Sequence, residues 1–258
     1  MNIAAFGKGD PLILIHGWGM SSKIFINIAE KLTKKNKVYL IDLPGMGKSQ
    51  IIKPYEMTKI IDEINLIDNR KISILGWSLG GQIAIAFENK YPDRVKKLIL
   101  VSTTPCFLNN DNWRAGIEKS IFEDFAKGVL NDWRSTMRRF FNLQLLGSDD
   151  RKIILTDLEN NFLNTNDPSI QALIGGLNIL MNNDLREIIK KISVPVLIIS
   201  GAKDKLIPPQ AAEFMLNNIK HSILRLIDGA AHIPFMSHQD QFVEQIQEFS
   251  NTHDKQKY

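Results

Sequence analysis

The sequence predicts an α/β fold: a mostly parallel central sheet flanked by helices, with an inserted helical cap. Three observations carry this expectation. From Pro11 to Thr103, short apolar segments alternate with amphipathic helical ones. Between about Pro105 and Asn183 the alternation stops, leaving helical stretches and polar breaks. At Val194 it resumes and runs to Phe249. Parallel strands buried on both faces read as continuous apolar runs, and their crossovers need helices. The expected organisation is a core from residues 1–104 and 184–258, with the cap at 105–183.

Taken in order, Pro11-Leu12-Ile13-Leu14-Ile15 reads as a buried strand ending in His16-Gly17-Trp18-Gly19. Ser21 and Ser22 can cap a helix with Phe25, Ile28, Ala29 and Leu32 on one face. Val38-Tyr39-Leu40-Ile41 is the next strand, running into the turn D-L-P-G-M-G-K-S at Asp42 to Ser49. Residues 56–67 carry Met57, Ile60, Ile61 and Ile64 at helical spacing. A strand opening at Ile72, a helix to about Tyr91 and a strand from Val95 to Ser102 follow. In the cap, Asn109 to Asp111, Gly147 to Asp150 and Asn164 to Pro168 mark breaks. Strands at Val194–Ser200 and Ser222–Ile227, with helices at Gln210–Asn218 and Gln239–Phe249, complete the pattern. The closing T-H-D-K-Q-K-Y reads as a polar, frayed tail.

Composition bounds the function classes. Hydrophobic residues make up 44% and charged residues 23% of 258, an ordinary globular balance. A net charge of +4, from 32 basic and 28 acidic residues, is too even to demand a nucleic acid partner. The lone cysteine, Cys106, precludes an internal disulfide and suits a small buried role in a reducing compartment. The start M-N-I-A-A-F-G-K-G-D lacks a long apolar run, so no signal peptide is expected. Without a run of about 18 apolar residues, no membrane span is expected either. A cytoplasmic monomer is the expectation.

Chemistry enters at Gly76-Trp77-Ser78-Leu79-Gly80, a G-x-S-x-G pattern between a strand and a helix. Such a strand-to-helix turn lifts a serine Oγ clear of the backbone, with small residues two before and two after it. A serine hydroxyl needs a histidine to take its proton, and the histidine needs a carboxylate to hold its tautomer. In this arrangement the order is Ser, acid, His, each at a strand's carboxyl end. Asp204 follows one such strand in G-A-K-D-K-L-I-P, and His232 follows the next in D-G-A-A-H-I-P-F. His16 suits a structural hydrogen-bonding role. His221 precedes a strand, His238 begins a helix, and His253 lies in the tail. Asp228 is too near His232 in sequence, and Asp42 belongs to its own turn. The backbone N–H groups of Leu79 and Trp18 are the candidate oxyanion donors, leaving the Trp18 side chain to line an acyl pocket.

No H-E-x-x-H, cysteine cluster or strand-linked G-x-G-x-x-G is present, so neither metal nor dinucleotide is expected. G-M-G-K-S at Gly45 to Ser49 lacks the spacing of a phosphate loop. In the cap, Trp133, Met137, Phe140 and Gln144 share one helical face, Gln144 being its polar member. Arg134 and Arg138 flank that face and Arg139 projects away from it. This fits an apolar channel whose flanking arginines could pair with an anionic group, and equally a core-facing stripe with a solvated basic face.

With these motifs in place, the chain resembles the α/β-hydrolase superfamily over nearly its whole length. Within it, the similarity is to the pimeloyl-[acyl-carrier protein] methyl ester esterase family of biotin synthesis. The resemblance rests on L-I-H-G-W-G-M, D-L-P-G-M-G-K-S, L-G-W-S-L-G-G, T-T-P-C-F, A-A-H-I-P-F-M-S-H, and the cap segments M-R-R-F-F-N-L-Q and G-G-L-N-I-L. It implies a cofactor-free serine carboxylesterase with Ser78, Asp204 and His232 as triad. It also implies substrate contacts from Trp18, Leu79 and His232, with Trp18 and Leu79 on the oxyanion side, and acyl-chain contacts from Phe140, Phe141, Asn142, Leu143 and Gln144. Its partner would be an acyl carrier protein gripped by basic cap residues. Arg139 matches one of these, Ser135 stands at the next position upstream with Arg134 beside it, and Lys152 with Arg151 falls near another. The alternatives are a general short-chain esterase or carbon–carbon bond hydrolase of the same fold, and a catalytically silent binding protein.

Overall fold

The computed structural model describes residues 1–163 and 168–254, the last three by backbone alone. Most of the expected break from Asn164 and the end of the tail from Lys255 therefore lie outside the described residues. Seven strands form one sheet: β1 (Asn2–Phe6), β2 (Asp10–Ile15), β3 (Asn36–Asp42), β4 (Ile72–Trp77), β5 (Val95–Val101), β6 (Val196–Gly201) and β7 (Ser222–Ile227). Their order across the sheet is β1-β3-β2-β4-β5-β6-β7. Every pairing is parallel except β1 with β3.

β1 is absent from the sequence reading. Its five residues are short, and Ile3 and Phe6 face outward, so no apolar run marks it. Main-chain pairing from Asn2↔Asp42 to Phe6↔Val38 holds it at the sheet edge. The central strands behave as their sequences predict. Ile72, Ile74 and Leu75 of β4 are fully buried, and each such side chain contributes about 1.5–3 kcal/mol by leaving water.

Helices α1 (Ile26–Leu32), α2 (Met57–Asn65) and α3 (Leu79–Lys90) precede β5. Between β5 and β6 lie α4 (Lys119–Asn131), α5 (Trp133–Gln144), α6 (Arg151–Leu158), α7 (Ile170–Asn182) and α8 (Arg186–Ile189). α9 (Pro209–Asn218) joins β6 to β7, and α10 (Pro234–Ser237) and α11 (Gln239–Asp254) follow. The last helix thus continues five residues past Phe249, into the stretch expected to fray. Between β5 and β6 the described residues add no strand to the sheet, only isolated bridges such as Cys106↔Asp184.

The start of the first helix departs from expectation. A 3-10 turn, Ser22–Phe25, leads into α1, and Ser21 makes no capping hydrogen bond with its side chain. The Ser22 N–H instead donates to Asp42 Oδ1 at 2.8 Å. The Ile24 N–H donates to the Ser21 carbonyl at 3.2 Å, and the first N–H of the turn is satisfied by a carboxylate from the next strand end. It also accepts from Lys48 N–H at 3.0 Å and from the Asn2 amide at 2.9 Å. Burial opposes the ionised form of Asp42, but the Lys48 and Ser22 donors outweigh it and hold its carboxyl below the usual range. The G-M-G-K-S stretch is therefore wrapped round the protein's own anion.

Candidate active site

Because β2, β4, β6 and β7 are parallel, their carboxyl ends emerge on one edge of the sheet. That edge carries the His16–Gly19 loop, Ser78, the Asp204 loop and the His232 loop. Ser78 directly follows β4 with φ 56° and ψ −116°, a strained conformation for a residue with a Cβ. The surrounding glycines permit it. A Cβ on Gly76 would lie 2.3 Å from the Gly80 carbonyl oxygen, and one on Gly80 would lie 2.2 Å from that of Ile15. The turn therefore closes only without side chains there, and α3 begins directly behind the serine. Thr103 Oγ1 donates to the Ser78 carbonyl at 2.7 Å, steadying the turn from β5's end.

His232 is completely buried, and its Nδ1 lies 2.8 Å from Asp204 Oδ2. The other oxygen of Asp204 accepts from Leu206 N–H and Ile207 N–H, each at 2.9 Å. The carboxylate is thereby fixed in one orientation and available to accept from Nδ1–H. That tautomer leaves Nε2 with a lone pair, and Nε2 is buried without a hydrogen-bond partner. Ser78 and His232 share no hydrogen bond here. Such contacts are often long at rest and tighten around substrate. The His232 N–H donates to the Gln144 carbonyl at 3.0 Å, tying the His232 loop to the end of α5.

The competing titratable groups go elsewhere. His16 is buried, its Nδ1–H donating to the Gly17 carbonyl at 2.8 Å and its Nε2 accepting from Leu43 N–H at 3.0 Å. Burial pushes its pKa down to about 4, against the pull of the Gly17 bond and of Asp42. It is a neutral brace between two strand-end loops. Asp228 accepts locally from Gly229 N–H at 3.0 Å, and His238 Nδ1 lies 2.9 Å from Ser237 Oγ. The side chain of His253 lies outside the described residues. Cys106 is buried, and burial raises its thiol pKa. Among the described residues no group of three His, Cys, Asp or Glu side chains could hold a metal ion.

Leu79 opens α3, where a backbone N–H has no intrahelical acceptor. Neither its N–H nor that of Trp18 donates to a described residue. Both are thus available to an oxyanion. The Trp18 indole is fully engaged: Nε1–H donates to the Leu173 carbonyl at 2.8 Å, and the ring meets Phe125 and Phe140 edge-on at 5.3 Å each.

Ser78 opens onto a cavity whose other lining residues are all apolar. Trp18, Phe107, Phe122, Phe125, Phe140 and Leu206 form much of its wall. Leu143 and Leu177 add to it, with Ile121 and Leu180. Of the expected substrate contacts, the structure brings Trp18, Phe140 and Leu143 to this wall. Phe141 turns away and packs on Phe162 at 6.5 Å. The Asn142 side chain bonds the Arg138 carbonyl and the Arg151 guanidinium. Gln144 is buried behind the His232 loop with Oε1 unpartnered. Trp133 and Met137 line a separate groove of about 600 Å³ with Met20, Asp42 and Lys48. The α4 residues of the wall escaped the sequence reading, although Ile121, Phe122 and Phe125 show helical spacing.

The basic residues of the cap segment are exposed or nearly so, and several have partners. Arg134 donates to the Leu163 carbonyl at 2.7 Å and stacks on Trp133. Arg138 pairs with Glu159 at 2.9 Å, and Arg139 donates to Thr136 Oγ1 at 3.2 Å. Arg151 donates to Asn142 at 2.8 Å, and Lys152 faces solvent on α6. No helix among the described residues is long and apolar enough to cross a membrane.

Residues 10–239 match the family described as alpha/beta hydrolase fold. A pimeloyl-[acyl-carrier protein] methyl ester esterase of Wigglesworthia glossinidia brevipalpis is 38% identical over 248 residues, covering 94% of this chain and 95% of its own. One of Nitrosomonas europaea is 35% identical over 243 residues, covering 94% and 96%. Among solved structures, an esterase from Exiguobacterium antarcticum superposes with a TM-score of 0.89 at 25% identity, covering 96% of this chain and 94% of that one.

Proposed function

This chain belongs to the α/β hydrolase fold family, and on that premise we propose that it is a serine carboxylesterase of biotin biosynthesis. It hydrolyses the methyl ester of pimeloyl-[acyl-carrier protein], giving pimeloyl-[acyl-carrier protein] and methanol. The substrate follows from relatives of that name matched over 94% of this chain. The observation that supports the chemistry is His232, anchored at Nδ1 by Asp204 with Nε2 unpartnered.

Ser78 Oγ attacks the ester carbonyl while His232 Nε2 takes its proton. Asp204 holds the tautomer and stabilises the imidazolium that forms. Negative charge on the tetrahedral oxygen is received by the N–H groups of Trp18 and Leu79, one such donor being worth about 10²–10³ in rate. His232 returns its proton to the departing methoxide, so methanol leaves and an acyl-enzyme remains. Water, deprotonated by His232, then attacks the acyl carbonyl. Collapse of that second intermediate reprotonates Ser78 and releases the carboxylic acid. Positioned proton transfer of this kind contributes about 10²–10⁴-fold.

Residues 105–183 serve as the cap that selects substrate, with Phe140 and Leu143 nearest the acyl chain. Arg134, Arg138, Arg139, Arg151 and Lys152 meet the acidic carrier. The test has two arms. A fluorophosphonate should label the wild-type protein and not Ser78→Ala, which should also lose hydrolysis; persistent activity would sink the mechanism. Pimeloyl-carrier methyl ester should be turned over in preference to free short esters, and equal turnover would remove the carrier-borne substrate.

A further inference from the structure

α7 carries two adjacent glycines, Gly175 and Gly176, in its interior. Glycine is costly within a helix, so a pair there calls for a packing or functional reason. The two face different neighbours. A Cβ on Gly175 would lie 2.4 Å from the ring of Tyr55. A Cβ on Gly176 would lie 2.7 Å from Trp18 Cδ1 and 3.5 Å from Leu79 Cδ2. Gly176 thus lies against the two residues whose backbone N–H groups are the candidate oxyanion donors.

The same face of α7 continues the relationship. Leu173, one turn before, accepts the Trp18 indole N–H at 2.8 Å. Leu177 and Leu180, just after, line the cavity at Ser78. Positions 173, 176, 177 and 180 follow the i, i+3, i+4, i+7 stripe of one helical face. From the other side, Met137 of α5 covers the same loop, its Cε 2.7 Å from where a Gly19 Cβ would stand.

We propose that Gly176 is a positioning residue for the oxyanion donors, letting α7 seat against Trp18 so that the Trp18 N–H is held where the tetrahedral oxygen forms. This rests on the serine-esterase reading above. α7 has no role in moving protons. It sets the place of the indole, and the indole sets the place of its own backbone. An added methyl at position 176 must push the indole or the helix by several tenths of an ångström. Misplacement of a donor weakens transition-state binding more than ground-state binding.

The test is kinetic, using p-nitrophenyl butyrate with wild type, Gly176→Ala and Gly175→Ala. For Gly176→Ala, kcat should fall about tenfold or more while KM stays within about threefold. Affinity for a trifluoromethyl ketone, whose hemiketal oxyanion uses the same donors, should fall in parallel. Gly175→Ala, which crowds Tyr55 instead, should keep a near-wild-type kcat. The inference is overturned if Gly176→Ala works as well as wild type, or if both variants lose kcat equally. Should Gly176→Ala fail to fold, it is placed in a Trp18→Phe background and compared with Trp18→Phe alone. Equal activity of the two supports the inference, and a further tenfold loss or a persistent failure to fold refutes it. If wild type itself turns over no ester, the hydrolase reading fails and this inference falls with it. If wild type is active and Gly176→Ala equals it, only the positioning role fails.

Discussion

The indole N–H of Trp77 donates to the backbone carbonyl of His232 at 2.9 Å, and the two rings stand 5.6 Å apart. The residue just before the proposed nucleophile therefore holds the loop that carries the proposed base. Both are fully buried. The bond crosses 155 positions of sequence and joins the ends of β4 and β7.

Trp77→Phe keeps an aromatic ring and removes the donor, leaving the His232 carbonyl unsatisfied. A buried acceptor without a partner costs about 1–3 kcal/mol, with some further loss from the smaller ring. The expected outcome is a lowered denaturant midpoint together with a fall in kcat larger than the change in KM. A drop in stability with unaltered kcat would show that the bond holds the loop without setting the base.

Asp204→Asn keeps an oxygen for Leu206 N–H and Ile207 N–H but puts an amide NH2 beside His232 Nδ1. The ring would then accept at Nδ1 and carry its proton on Nε2, where it can no longer take one from serine. Activity should fall by about 10³–10⁴-fold, with the melting temperature little changed. The check is ester hydrolysis alongside a thermal melt, and activity within tenfold of wild type would remove Asp204 from its role.

These relationships also mark what was readable in the chain. Ser78, Asp204 and His232 stand out because each follows an apolar strand in a loop of distinctive composition, and parallel strands bring such loops to one edge. Strand-end chemistry is local, so sequence order exposes it. The Trp77–His232 bond and the packing of Trp18 under α7 are long-range contacts, set by how cap and sheet settle together, and no local pattern announces them. The helical face of α5 misleads for the same reason. Trp133 and Met137 share a stripe with Phe140, yet the helix lies across the boundary between two grooves and the stripe is divided. β1 escaped because an edge strand is held by main-chain bonds and needs no apolar run.

His16 makes stability depend on acid. Its folded pKa, lowered by burial to about 4, lies below the ordinary histidine value of 6.5, so the unfolded chain binds the extra proton first. Stability is therefore full above pH 6.5 and is lost as pH falls towards 4. A depression of this size corresponds to about 3 kcal/mol. His16→Gln, which does not titrate, should be less stable at neutral pH but show a flatter dependence between those limits. Denaturant midpoints measured from pH 7 to 4 check it, and parallel slopes for the two proteins would exclude His16 as the source.

The arginines of α5 bear on the carrier. Arg138 and Glu159 form an exposed pair, and such pairs contribute little, about 0–1 kcal/mol. Breaking it should hardly alter the fold, so Arg138→Glu can be read as a change of surface charge; Arg134→Glu and Arg139→Glu are added with a thermal melt that registers loss of the Leu163 and Thr136 bonds. If the carrier docks here through its acidic face, KM for the carrier-borne ester should rise at least tenfold in the triple variant. In wild type the same KM should climb with salt, as exposed charges are screened over about 10 Å at 0.1 M. A free short ester should show neither effect. Equal losses on both substrates would assign these arginines to holding the cap, where the Arg134 bond to the Leu163 carbonyl already employs one of them.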